Sequence, residues 1–227
     1  VEVMGRHCGY LPLMAAVAGG ADYVFTPEDP AGPGWQDDLA EHLRLGREAG
    51  RRESIVLVAE GAHDRDGNEL STQLVADTIE ERTGEDARVT ILGHVQRGGT
   101  PSAYDRWMST LLGYAAVQEI LASTGEDEPV ILGVRRNRIT RVPLMKAVHD
   151  TRAVKDLIAA GDYAAAQASR GSSFSSMVGI YHLLSTPPQL IPEPTGDIKR
   201  VAILHAGGLA PGMNTAARVA VRLGIAR

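Results

Sequence analysis

Six residues, Ser54-Ile55-Val56-Leu57-Val58-Ala59, constrain the fold of this chain more than any others. They form a continuous apolar run, with charged residues before it and Glu60-Gly61 after it. A strand with one wet face alternates apolar and polar residues, whereas an unbroken run needs both faces covered, as in a parallel sheet flanked by helices. The neighbouring patterns supply that cover. Cys8–Ala18 carries apolar residues at helical spacing and is stopped by Gly19-Gly20. Trp35–Ala49 reads as a helix with Asp37 and Asp38 in its first turn, where the helix dipole favours carboxylates. Ser71 is placed to cap a helix running to about Arg82, with Thr83-Gly84 ending it. Val1–Met4 reads as a strand end, Asp22–Thr26 as a short strand closed by Pro27, and residues 27–34 as a loop. Val89–Leu92 and Val130–Val134 are expected strands, the second of the buried type. Tyr104–Ala122, Thr151–Ala160, Tyr163–Ser169 and a stretch near Ser175–Leu184 are expected helices. Strands alternating with helices define an α/β chain built on a parallel sheet.

A break follows. Ser185–Asp197 holds four prolines in thirteen residues and shows neither period, so residues 185–199 read as a semi-rigid connector. It separates a first part, 1–184, from a restart at 200–227. That restart comprises a strand-like Arg200–Leu204, a Gly-rich turn and a helix from about Asn214.

Bulk properties narrow the function. A net charge of −5 argues against general nucleic-acid or acidic-membrane binding. The one basic cluster, Arg135-Arg136-Asn137-Arg138 with Arg141, has no interleaved aromatics and reads as a solvated hairpin or strand end. No apolar run reaches membrane-spanning length. The single cysteine, Cys8, excludes an internal disulfide. His7-Cys8 lacks the CxxC or HxxxH partner that a metal pair needs, so no metal site is expected in the chain. Arginine outnumbers lysine 20 to three, so no single Arg is evidence by itself.

The chemistry concentrates at Leu92-Gly93-His94-Val95-Gln96-Arg97-Gly98-Gly99-Thr100-Pro101-Ser102-Ala103-Tyr104-Asp105-Arg106. His94, Gln96 and Arg97 offer an imidazole, a carboxamide and a guanidinium to one anionic oxygen cluster, and Arg binds phosphate bidentately. The following glycines let the backbone turn sharply beside a ligand. By spacing alone this is an anion site at a strand end. Glu60 stands at the C-terminal end of the apolar run, where open α/β sheets bind ligands, and a carboxylate there accepts hydrogen bonds from sugar hydroxyls. A solvated or helix-capping Glu is the plainer reading. Met4-Gly5-Arg6 could equally be a strand end with a surface Arg, and Arg88 an ordinary surface Arg. Gly207-Gly208-Leu209-Ala210-Pro211-Gly212 follows a strand pattern and precedes a helix, which turns backbone N–H groups toward phosphate.

Taken in order, these segments resemble the phosphofructokinase family. The Leu92–Arg106 stretch looks like its signature, and Val1-Glu2-Val3-Met4-Gly5-Arg6-His7-Cys8-Gly9-Tyr10-Leu11 resembles its sugar-phosphate segment. Val58-Ala59-Glu60-Gly61-Ala62 is similar to the strand end carrying a substrate-binding Glu. Arg170-Gly171-Ser172-Ser173-Phe174, with Tyr181-His182-Leu183-Leu184, resembles the end of the catalytic half in tandemly duplicated, eukaryotic-type members. Ala206–Asn214 looks like the opening phosphate loop of a second half.

The resemblance implies a parallel-sheet sandwich of the phosphofructokinase type, incomplete at its N-terminus. Residues 1–184 would be the C-terminal part of the catalytic half, and 200–227 the first strand, loop and helix of the second. It implies phosphoryl transfer from ATP, with Mg²⁺, to the 1-hydroxyl of fructose 6-phosphate. Met4, Gly5, Arg6, Glu60, Arg88, His94, Val95, Gln96 and Arg97 would line the sugar-phosphate site. Arg6 would assist by placing positive charge where the phosphoryl group moves. His94 and Arg97 would hold the 6-phosphate in their own subunit, and Arg88 would reach into a neighbour's site within a cytoplasmic homo-oligomer. The catalytic Asp, the Mg²⁺ ligands and the first phosphate loop would lie upstream of Val1, so this piece alone should not turn over. Gly207, Gly208, Gly212, Asn214, Arg218 and Arg222 would form an effector or nucleotide loop. The family's catalytic copy has an Asp where Leu209 stands, which favours an effector role. A pyrophosphate-dependent enzyme, or a non-catalytic regulatory sugar-phosphate-binding protein, are the alternatives.

Overall fold

The computed structural model describes residues 1–135, 137–191, 200–208 and 210–225. They fall into two compact units, Val1–Gly93 with Arg170–Arg227, and His94–Ser169.

The first unit is built on three parallel strands. β1 (Glu2–Val3) and β2 (Tyr23–Phe25) flank a central β3 (Val56–Ala59), with Val3 opposite Ala59 and Phe25 opposite Val58. Successive side chains on a strand point to opposite faces, and both faces of β3 are covered. Val58 packs with Phe25, Trp35, Leu39, Leu43 and Val75, while Leu57 packs with Val3, Leu13, Ala16, Phe174 and Tyr181. The first face is therefore closed by α2 (Trp35–Glu48) and α3 (Thr72–Thr83), the second by α1 (Tyr10–Gly19) and α7 (Ser172–Ser185). This is why the Ser54–Ala59 run shows no polar alternation.

Local signals set the helix ends. Pro12 lies in the first turn of α1, where its missing N–H would have no intrahelical partner. Ser71 caps α3, its hydroxyl accepting from the Leu74 N–H at 3.1 Å. Asp37, in the first turn of α2, pairs with Arg82 of α3. Asp22 is buried just before β2, pairs with Arg51, and accepts the Ile55 N–H at 2.8 Å. It thereby fixes the start of β2 to the start of β3. After α7 comes a single 3₁₀ turn, Pro188–Leu190. Most of the expected connector, at 192–199, lies outside the described residues. α8 (Met213–Ile225) packs on α7.

The second unit contains α4 (Ala103–Ala122), a hairpin of β4 (Val130–Arg135) and β5 (Arg138–Pro143), α5 (Leu144–Ala159) and α6 (Tyr163–Ser169). α4 opens with a reciprocal cap: Asp105 N–H donates to Ser102 Oγ, and Ser102 N–H to Asp105 Oδ2. α5 and α6 pack on each other through buried Val154 and Ala166.

Three strand expectations are corrected. Val130–Val134 is not a buried parallel strand. It pairs antiparallel with Arg138–Pro143, residue by residue from Val130–Pro143 to Arg135–Arg138, and stays half exposed. Five apolar residues in a row fit a half-exposed hairpin as well as a buried strand, and Asn137 at φ +61° makes its turn. Val89–Leu92 forms one parallel bridge, Ile91 to Glu2, instead of a strand. Arg200–Leu204 forms no strand among the described residues. Arg135, Arg138 and Arg141 of the basic cluster do lie on a hairpin, as expected of a solvated hairpin or strand end.

Candidate functional site

β1 and β3 run parallel and in register, so the residues just beyond them, Met4 and Glu60, emerge side by side at their C-terminal ends. The Glu60 N–H donates to the Val3 carbonyl at 2.9 Å, continuing the ladder. The Glu60 side chain then turns back over the Met4–Gly5–Arg6 segment. Its Oε2 accepts the Gly5 N–H at 3.1 Å and the Arg6 N–H at 2.9 Å. Those two donations, Arg6 first, hold the carboxyl below the usual carboxylate range. Among the described residues Oε1 makes no hydrogen bond, leaving an acceptor free at the C-terminal end of the sheet.

The backbone of this segment is constrained. Arg6 adopts φ +52°, a region that costs a non-glycine residue energy and persists only where the surroundings impose it. Gly61 lies against it at φ +77°. A Cβ there would come within 2.8 Å of the Arg6 carbonyl oxygen, so only glycine fits beside the loop. The Cys8 N–H closes a turn onto the Gly5 carbonyl at 3.0 Å. The Glu60 carboxylate thus meets the half-buried Met4–Gly5 segment and the exposed Arg6 at the end of paired strands.

Gly93–Arg97 forms one 3₁₀ turn. Side chains three apart eclipse in a 3₁₀ helix, so His94 and Arg97 project from the same edge. Both are exposed, Gln96 is half-buried, and Val95 is 77% exposed. Arg88 is also exposed, just before the residues that bridge to β1. The structure describes each of these groups within its own unit.

In the C-terminal stretch, Gly207, Gly208 and Gly212 all have φ above +90°, and the following helix, α8, carries Asn214, Arg218 and Arg222. Leu209 lies outside the described residues. Arg222 Nη2 donates to the carbonyls of Leu183, at 3.1 Å, and Thr186, so it caps the end of α7. Burial, with Arg218 and Arg51 nearby, pulls its pKa down. Among the described residues no group of three His, Cys, Asp or Glu could hold a metal ion, and no helix is long and apolar enough to cross a membrane.

Two residues organise the loop in a way the sequence reading does not assign: Glu28 falls in the expected 27–34 loop, and Arg170 enters only as the start of the Arg170–Phe174 motif. Glu28, fully buried, accepts the Gly9 N–H, and Arg170 bonds both Glu28 and the His7 carbonyl. Only Pro27-Glu28 at the close of a β-rich run marks the first, and the motif that opens with Arg170 does not report its partners.

A parallel sheet covered on both faces, with a carboxylate turned over the loop at its C-terminal end, defines an α/β protein of the open-sheet class, in which that end is where ligands bind. The phosphofructokinase family model matches residues 1–120. The chain belongs to the phosphofructokinase family. It is 45% identical over 224 residues, 97% of the chain, to ATP-dependent 6-phosphofructokinase of Aspergillus fumigatus, and 44% identical over 225 residues to the human liver-type enzyme. It spans 28% of the length of each. Phosphofructokinase of Saccharomyces cerevisiae superposes with a TM-score of 0.77 at 43% identity, over 80% of this chain and 24% of that one. The T-state enzyme of Pichia pastoris gives 0.75 at 41% identity, over 81% of this chain and 20% of that one.

Proposed function

We propose that this chain carries the sugar-phosphate half of the active site of an ATP-dependent 6-phosphofructokinase. The parent enzyme transfers the γ-phosphoryl group of ATP to the 1-hydroxyl of fructose 6-phosphate, giving fructose 1,6-bisphosphate in cytoplasmic glycolysis. The observation that carries this reading is the Glu60 carboxylate, bound to the Gly5 and Arg6 amides at the ends of paired parallel strands. The names of the relatives favour ATP over pyrophosphate as donor.

The roles follow from chemistry. Glu60 accepts from sugar hydroxyls, and the peptide edge of Met4 and Gly5 lies along the sugar. Arg6 offsets the negative charge that develops as the phosphoryl group moves. His94 and Arg97 hold the 6-phosphate, Arg97 by its fork, while Val95 and Gln96 complete that turn. Mg²⁺ neutralises the polyphosphate of ATP when bound. The described residues offer no grouping of His, Cys, Asp or Glu that fits it. The Gly207–Gly212 loop, with Asn214, Arg218 and Arg222, belongs to a second half that binds an effector or a nucleotide.

The full-length enzyme is expected to consume ATP with fructose 6-phosphate in a coupled assay and to be inert with pyrophosphate. Turnover with pyrophosphate alone would reassign the donor. Arg88 is expected to act across a subunit boundary, as closed symmetric assemblies allow. Inactive Arg88→Ala and Arg97→Ala proteins, co-expressed with different tags, should then regain activity in mixed oligomers. Mixed oligomers no more active than either variant alone would show that Arg88 serves its own subunit.

A further inference from the structure

The loop between β1 and α1 is held by two carboxylates. Glu60 takes its upstream end, through the Gly5 and Arg6 amides. Glu28 takes its downstream end: both oxygens accept from the Gly9 N–H, at 2.9 and 3.2 Å, and Glu28 is 0% exposed. A buried carboxylate is costly unless paired. The partner is Arg170, whose Nε donates to Glu28 Oε1 at 2.7 Å. The same guanidinium reaches the loop itself, Nη2 donating to the His7 carbonyl at 2.6 Å. Arg170 thus binds the residue after Arg6 and also neutralises the carboxylate that holds Gly9.

We propose that Arg170 and Glu28 form a clamp that fixes the Met4–Gly9 loop in its substrate-binding shape, making Arg170 a positioning residue for fructose 6-phosphate. The inference rests on the sugar-phosphate reading of Met4–Arg6 given above. Its physical basis is the backbone of Arg6. At φ +52° that residue sits in a disfavoured region, and inside the loop the Cys8-to-Gly5 turn supports it. Further restraint comes from outside, at Gly5 and Arg6 from Glu60 and at His7 and Gly9 from Arg170 and Glu28. Released on the downstream side, Arg6 relaxes toward an ordinary conformation and its guanidinium and peptide edge leave the sugar. The fork geometry is essential, because two acceptors in different directions must be bound at once. A lysine supplies charge to Glu28 and cannot span both.

The test is steady-state kinetics of the full-length enzyme carrying Arg170→Lys, Arg170→Ala, Glu28→Gln or Arg6→Ala. Arg170→Lys, close in size and charge, is expected to raise the KM for fructose 6-phosphate roughly tenfold, as for one lost charge-assisted contact. The KM for ATP and the melting temperature should stay near wild type. Millimolar methylguanidinium should restore the sugar-phosphate KM of Arg170→Ala. Glu28→Gln, which keeps an acceptor for Gly9 and loses the ion pair, should shift KM in the same direction and carries the test if Arg170→Ala fails to fold. Equal losses for both substrates, with a lowered melting temperature and no rescue, would show a merely structural role and overturn the clamp. If Arg170→Lys binds sugar phosphate normally while Arg6→Ala does not, the clamp fails and the site reading stands. If Arg6→Ala leaves sugar-phosphate KM unchanged, the site reading itself has failed.

Discussion

Arg97→Ala in the full-length enzyme is expected to weaken fructose 6-phosphate binding by about ten- to a hundredfold while leaving ATP affinity near wild type. Removing one charge-assisted contact to a phosphate costs about 1.5–3 kcal/mol, and each ~1.4 kcal/mol is a factor of ten in affinity. The effect should fall on binding and not on folding. Arg97 is exposed at the end of a single 3₁₀ turn, and exposed positions without a packing role usually change stability by less than about 0.5 kcal/mol. Separate titrations of sugar phosphate and nucleotide check both halves of the expectation. A large loss of ATP affinity with sugar-phosphate affinity intact would mean the 3₁₀ turn serves the nucleotide instead.

Phe174→Ala should be the most damaging single change to the fold, at about 3–5 kcal/mol for an emptied aromatic core position. Phe174 is 1% exposed and packs in one cluster with Val3, Leu13, Ala16, Leu57 and Tyr181. Its ring stacks on Tyr10 with centroids 6.3 Å apart. It belongs to α7, which covers one face of the sheet together with α1, so the cavity would open beside both β1 and β3. Domains are stable by only about 5–15 kcal/mol, so a large fraction of that margin is at stake. The first urea-unfolding transition of the full-length variant measures it. A shift worth less than about 1 kcal/mol would show that α7 contributes little to the sheet's cover.

How far the sequence reveals this molecule depends on how local each cause is. The Ser54–Ala59 run identified the central strand because burial of both faces leaves a mark in six consecutive residues. Ser71 marks a helix start because its capping partner lies three residues away, and the Ser102–Asp105 cap, equally local, was not expected. Val130–Val134 misled because an antiparallel partner rich in arginine, Arg138–Pro143, does not look like a strand, and only Asn137 signals the turn. The position of Glu60 was legible; its work was not. It bonds residues 54 and 55 positions away, and such partners are chosen by sheet register, which no local pattern reports. The Glu28–Arg170 pair, 142 residues apart, is hidden for the same reason. That His94 and Arg97 share an edge required the 3₁₀ turn, because a strand would have placed them on opposite faces.

The central claim, that this chain supplies the sugar-phosphate subsite, is tested most directly by a crystal structure of the full-length enzyme with fructose 6-phosphate. The sugar hydroxyls should meet the Glu60 carboxylate and the Met4–Gly5 peptide edge, with the 6-phosphate on His94 and Arg97 and on Arg88 of the partner subunit. A sugar phosphate lodged at Gly207–Gly212, with Glu60 and Arg97 out of contact, would contradict it.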